Sequence, residues 1–271
     1  MKQTIKRALH SVAPRWTTAI MSARARAHSH RILAEWGCGA LNRTLVERFG
    51  NRVLEGPFAG LTLTPMTYRE QIGPYLLGVY ESELDPAWEA VLRGNYEQII
   101  DVGAKFGYYA AGLARRYPDA SIVAFDTDRW ARRAMREMAA ANGIDNVEVM
   151  GFCSPDWILR NLRESSFVIS DCEGYEAVLF NPEVVSRSAT AALIVETHDC
   201  FAPAVSDRLR AAFEETHTVR IYGDAGHRRE TSQSLGFLGG PERRLAVQEV
   251  RSPQLWLACF PKAGPNRALS A

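Results

Sequence analysis

From residue 99 onward, apolar and polar positions fall into short alternating blocks. Apolar or β-branched runs occur at 99–102, 121–125, 147–150, 167–170 and 193–196, and helically spaced segments lie at 108–116, 129–142, 176–185 and 204–215. Short strands without polar alternation, separated by helix-length segments, predict crossover units and a parallel sheet covered on both faces. Two more strand-like runs, 218–222 and 255–260, flank a glycine- and charge-rich insert. The pattern predicts an α/β fold, a Rossmann-like, doubly wound, seven-stranded, mostly parallel sheet over 99–262, preceded by an N-terminal helical extension.

Upstream the pattern changes. Residues 1–50 read as two helical pieces split by Pro14, and 51–98 as a mixed lead-in. Within the lead-in, "GPFAGLTLTP" is strand-like, and 67–94 is helical around a break at Gly73-Pro74. The tail, 263–271, is expected to be disordered.

Composition narrows the function classes. The chain has 271 residues, 46% hydrophobic and 23% charged, enough for one large domain or a domain with an appendage. Its net charge of +1 gives no global attraction to nucleic acid. Residues 1–50 nevertheless carry nine Lys/Arg against Glu35 and Glu47. That segment reads as a basic helical arm able to touch an acidic partner, a membrane surface or another subunit; a transit peptide is the alternative. Five scattered cysteines, with no C-x-x-C pair, suit buried thiols in a reducing, cytoplasmic compartment. No run approaches the ~18 apolar residues of a transmembrane helix, and no secretory signal is recognised.

The candidate chemistry begins at "IIDVGAKFGYYA". Gly103 permits a sharp turn after the first strand, and Gly107 is expected to let the helix start pack close to a ligand, with Ala104 and Tyr108 beside it. A Walker loop is excluded by the spacing, and G-x-G-x-x-G is unmet because Lys105 replaces glycine. Asp101, at the strand mouth, would repel a pyrophosphate; two like charges ~4 Å apart cost about 4 kcal/mol at an effective dielectric near 20. The same carboxylate would attract the ammonium and sulfonium of S-adenosylmethionine. Asp126, ending the second strand, can accept hydrogen bonds from ribose hydroxyls.

In order along the chain, "IIDVGAKFGYYA", "VAFDTD", "VISDCEGYEAVLF" and "LIVETHD" resemble the motifs of the FkbM-type S-adenosylmethionine-dependent methyltransferases. "GPFAGL" and "GVYESEL" resemble the lead-in of one branch. The resemblance spans about residues 53–199, with a looser tail to 260. It implies a class I methyltransferase fold and methyl transfer to oxygen on a sugar or other small polar acceptor. One departure is Ile169, where many members carry lysine. No [DN]-P-P-[YFW] follows the fourth strand, which speaks against methylation of nucleic-acid bases.

Ends of the fourth and fifth strands offer Asp171, Glu173, His198 and Asp199 at one rim. His198, with an ordinary pKa near 6.5, is the candidate base. Asp171 and Glu173 would orient it or bind acceptor hydroxyls. Glu176 is expected to cap the next helix, and Glu196 to be a buried strand-end acid. Asp171, Glu173, Glu196, His198 and Asp199 could instead hold Mg²⁺, though no metal is assigned. Glu81 could close over the donor's amino group from the lead-in, with Glu83 beside it. Cys153 lies where an adenine edge is usually contacted, as a small unreactive thiol. The acceptor pocket is expected from 51–98 and 224–254. Competing readings are an NAD(P)-linked oxidoreductase and a non-catalytic binder of an adenosine ligand.

Overall fold

Seven runs of the chain pair into one sheet. They are β1 (Gln98–Val102), β2 (Ser121–Phe125), β3 (Val147–Met150), β4 (Ser166–Ser170), β5 (Ala192–Thr197), β6 (His217–Gly223) and β7 (Leu255–Pro261). The computed structural model describes residues 20, 24, 27–28, 31–67, 71–223, 235–249 and 254–270. The strand order is β3-β2-β1-β4-β5-β7-β6, with β7 antiparallel to both its neighbours and the other pairs parallel. The expected doubly wound sheet is therefore observed.

Its helices are α1 (Cys38–Phe49), α2 (Ile72–Leu77), α3 (Asp85–Val91), α4 (Tyr108–Arg116), α5 (Arg129–Ala141), α6 (Pro155–Asn161), α7 (Glu176–Leu179), α8 (Pro182–Arg187), α9 (Val205–Glu214) and α10 (Gly240–Val247). Spacing and caps explain them. In α5, Ala131, Ala134, Met135 and Met138 face the core at i, i+3, i+4 and i+7, while the Asp128 carboxylate accepts the Trp130 N–H at 2.9 Å. The helix expected at 176–185 is two helices, because Asn181 caps a new start and Pro182 cannot continue the old one. Helix α6 was not foreseen; its start signal is Ser154, whose hydroxyl accepts the Trp157 N–H at 3.1 Å, followed by Pro155.

The central strands are buried throughout, and their successive side chains alternate between two apolar clusters. Ile99 faces one, Ile100 and Val102 the other, so Asp101 turns to the Ile99 side. On that side the lead-in is integral to the core: Phe58, Tyr75, Leu76 and Trp88 pack with α4 and β1. Leu41 and Leu45 of α1 join them, so this part of the basic segment is not a detached arm. Pro14 and most of the basic run lie outside the described residues, as do 224–234 and 250–253 of the late insert.

Three local expectations are corrected. Residues 55–60 form turns and the strand-like stretch makes only an isolated bridge, Arg52 to Thr62. Gly73-Pro74 does not break a helix: both lie in the first turn of α2, where the proline's missing N–H is tolerated, and the helix stops at Gly78 with φ 72°. The tail is docked through residue 270 rather than disordered. Asn266 is buried and pairs its amide with both backbone groups of Asn95 at 3.0 Å, and Leu269 is buried.

Register then places the site. Val102 lies beside Phe125 and Ser170, and Ser170 beside Val195. The next residues, Gly103, Asp126, Asp171 and Glu196, therefore form one row at the carboxyl rim. The chain winds outward from β1 to β3 and returns at β4, so the crevice between β1 and β4 is the switch point where ligands bind.

Candidate functional site

Gly103 has φ 89°, and a Cβ there would stand 1.7 Å from the Asp171 carbonyl oxygen. Only glycine lets the β1 loop pass the end of β4 so closely. Gly103 and Ala104 both donate N–H bonds to the Phe125 carbonyl at 2.9 Å, tying this loop to β2. Gly107 has a packing task. A Cβ there would meet Met135 Cγ at 2.9 Å, so the glycine seats α4 against α5. Tyr108 is corrected: it is buried among Phe58 and Tyr75, with ring centroids 5.3 and 5.1 Å away, and packs the lead-in onto α4.

Asp126 stays at the rim, partly exposed. Its Oδ2 accepts the Lys105 N–H at 3.0 Å and its Oδ1 the Asp128 N–H at 2.7 Å. A carboxylate has about four acceptor sites, so capacity for further donors remains. Asp101 is only 3% exposed, below the rim on the lead-in side. The Ala110 N–H, in the first turn of α4, hydrogen-bonds to it. Its Oδ2 is buried with no hydrogen-bond partner among the described residues. Burial chiefly, then the charges of Asp126, Asp171 and Glu81, raise the Asp101 pKa to about 8 against the Ala110 bond. Ile169 is its register partner on β4 and faces the same side. Lysine at that position would bring a counter-charge, which isoleucine cannot.

Glu81 is 1% exposed and turned inward, not closed over the crevice mouth. It accepts a hydrogen bond from the Tyr109 hydroxyl, and its own N–H donates to Glu249 Oε1 at 2.9 Å. Glu83 lies partly buried in the adjoining 3₁₀ turn, Ser82–Leu84. Cys153 is buried in the second apolar cluster, and burial pushes its thiol pKa up, consistent with bulk without reactivity.

Across the crevice, four carboxylates surround one imidazole. His198 Nε2 lies 3.6 Å from Asp171 Oδ1, 3.6 Å from Glu196 Oε2 and 3.9 Å from Glu173 Oε2. On the other side of the ring, Nδ1 donates to Glu176 Oε1 at 3.1 Å, and the His198 backbone N–H reaches the same oxygen at 2.7 Å. Glu176 Oε2 accepts the Gly174 N–H at 2.8 Å, so this fully buried acid fixes the loop and the histidine together. It is more than the helix cap expected; its partner lies just past the end of β5, a relation that spacing does not reveal.

Burial alone would lower the His198 pKa. The Glu176 hydrogen bond and charge, with the charges of Asp171 and Glu173, outweigh it and raise the value to about 9. The expected neutral base is therefore corrected: with no other cation present, the ring is protonated at neutral pH. Glu173, by contrast, is shifted upward by burial and by Asp171, making it a stronger base than an ordinary carboxylate. Asp199 leaves the cluster. It turns to α9, accepting the Ser206 N–H at 3.2 Å and hydroxyl at 2.5 Å.

Backbone strain marks the same rim. Among the described residues, the non-glycine positions with positive φ are Glu81, Lys105, Glu173 and Ala204, and the first three are on these loops. Such conformations cost about 1–3 kcal/mol each and cluster where function over-determines them.

No family model matches the sequence, and no curated protein matches it. Solved structures resemble the chain at low identity. An rRNA methylase from Streptococcus thermophilus is 13% identical, with a TM-score of 0.46 over 65% of this chain and 95% of that one. The O-methyltransferase TomG from Streptomyces achromogenes, solved with S-adenosylmethionine, is 15% identical, with a TM-score of 0.44 over 73% of this chain and 91% of that one. Precorrin-6y C5,15-methyltransferase from Geobacter metallireducens is 15% identical, with a TM-score of 0.42 over 63% and 83%. Likenesses this distant assign no chemistry. Among the described residues, no helix is long and apolar enough to cross a membrane.

Proposed function

We propose that the protein is an S-adenosylmethionine-dependent methyltransferase acting on oxygen of a small polar or sugar-containing acceptor. The observation that carries this reading is the buried, unpartnered Oδ2 of Asp101, set among Glu81, Asp126 and Asp171 below the Gly103 loop. A ligand that brings positive charge relieves that cluster. A pyrophosphate would add to it, and the Ala110 amide of α4 is already committed to Asp101. The FkbM-like motifs and the seven-stranded sheet support the same reading.

The residues fit the donor. Asp126 would take its ribose hydroxyls, Asp101 its ammonium, and the Gly103-Ala104 loop its close approach. When bound, the donor supplies a methyl group already activated by the sulfonium charge. Glu173, about a third exposed and of raised basicity, would take the acceptor hydroxyl's proton. Asp171 would hold the acceptor, while Glu176 locks His198 as the fixed centre around which these carboxylates are arrayed.

Thermal melting tests the reading. A ligand at a hundred times its Kd stabilises the fold by about 2.7 kcal/mol. The expected result is a shift with S-adenosylmethionine or its demethylated product and none with NAD. The reverse pattern overturns the methyltransferase reading. Methyl uptake by a panel of sugar-containing metabolites then tests the acceptor class.

A further inference from the structure

We propose that Asp171, Glu196 and His198 form a binding site for a divalent transition-metal ion, which would hold an acceptor presenting two neighbouring oxygens. The ligand atoms of these three residues all lie within 4.8 Å of one another. Both carboxylate oxygens stand 3.6 Å from Nε2, too far for a hydrogen bond. Metal bonds of about 2.0–2.2 Å instead set ligand separations of roughly 3–4.4 Å. The oxygens thus ring Nε2 at the spacing of a shared ion.

Two independent observations support the assignment. Asp171 Oδ1 is buried with no hydrogen-bond partner among the described residues, and its ion pair to Nε2 at 3.6 Å leaves a gap between the two atoms. Glu176 holds Nδ1 at 3.1 Å, the carboxylate–histidine arrangement that aims the opposite nitrogen at a metal. Two carboxylates supply the oxygen ligands that suit Mn²⁺, and the imidazole adds the nitrogen that suits first-row transition ions in general. Three protein ligands leave coordination positions open toward the exposed side of Asp171 and Glu173. There an ion would lower the pKa of a bound hydroxyl, and a second oxygen on the acceptor would complete its coordination.

The acceptor half of this inference rests on the proposed methyl transfer; the metal half does not, and the two are read separately. Chelator-treated protein is titrated with MnCl₂ while the free-ion electron paramagnetic resonance signal is followed. One ion is expected per chain. Asp171→Asn and Glu196→Gln should each weaken its binding at least tenfold, and Asp199→Asn should leave it unchanged. Absence of stoichiometric binding, or binding indifferent to both ligand substitutions, overturns the site. Asp171 is partly exposed, so its variant serves if buried Glu196→Gln fails to fold. A vicinal-diol pyranoside should alter the bound-Mn²⁺ spectrum and its deoxy analogue should not; equal responses overturn the chelation. Donor-induced melting shifts without Mn²⁺ binding would remove the metal alone. Mn²⁺ binding without a donor shift would remove the methyltransferase reading alone.

Discussion

The β1–β2 rim and the β4–β5 rim are both acidic, yet their acids are held in opposite ways. On the first, Asp126 is held by the Lys105 and Asp128 amides, Asp101 by the Ala110 amide and Glu81 by the Tyr109 hydroxyl. Each of these bonds is donated by a neutral amide or hydroxyl. On the second, Asp171, Glu173, Glu176 and Glu196 converge on His198, which carries a cation of its own. On the proposed function, the first rim would receive the donor's positive charge and the second would take the acceptor's proton.

The sharpest way to break the comparison is on the second rim. Glu173→Gln keeps the size of the side chain and removes the base. We expect single-turnover methyl transfer to fall by about 10²–10⁴-fold, the usual range for a general base, with the donor melting shift retained. Unchanged turnover would strike Glu173 from the chemistry. Loss of the donor shift as well would show that the rims are not separate.

A middle-sized effect belongs to the first rim. Asp126→Ala removes the acceptor of two loop amides together with the expected ribose contact. Each lost hydrogen bond to a charged group is worth about 1.5–3 kcal/mol, so donor affinity should drop by at least tenfold, measured by calorimetry. Mn²⁺ binding on the opposite rim should be unaffected. A donor affinity equal to that of the unaltered protein would place the ribose elsewhere.

The two rims also differ in how far the sequence discloses them. β1 to β5 were legible because they are short runs dominated by apolar and β-branched residues between helix-length segments, and they differ from expectation by at most a residue at either end. Asp126 and Asp171 were legible because they follow such runs directly. Roles set by tertiary approach were not. Glu176 and His198 are 22 positions apart and meet only because α7 folds back beside β5. Gly107 and Tyr108 look like ligand-facing loop residues, yet they fall where α4 buries its packing side against Met135 and the lead-in aromatics. The ordinary histidine pKa assumed for His198 failed for the same reason, since its shift comes from carboxylates brought by other segments.

The smallest effect, and the one that most sharpens the contrast, concerns Asp101. Its carboxyl titrates near 3.8 in an unfolded chain and near 8 when buried in the folded one. Between those values the folded protein keeps a proton that the unfolded chain has released, so this residue's contribution to stability is full below about pH 4 and is lost as pH rises through 8. Asp101→Asn cannot ionise. Without ligand, the variant should therefore melt higher than the unaltered protein at pH 9, by about 1 kcal/mol or more, or roughly 2–4 °C. With donor the order reverses, because a cationic ligand binds the ionised carboxylate and must displace the proton. Between pH 6 and 7.5 donor affinity should rise with pH in the unaltered protein and stay flatter in Asp101→Asn; the ratio of the two cancels any titration of the donor itself. A ratio independent of pH would mean that the charge on Asp101 never meets the ligand, and the first rim would then need another explanation for its acids.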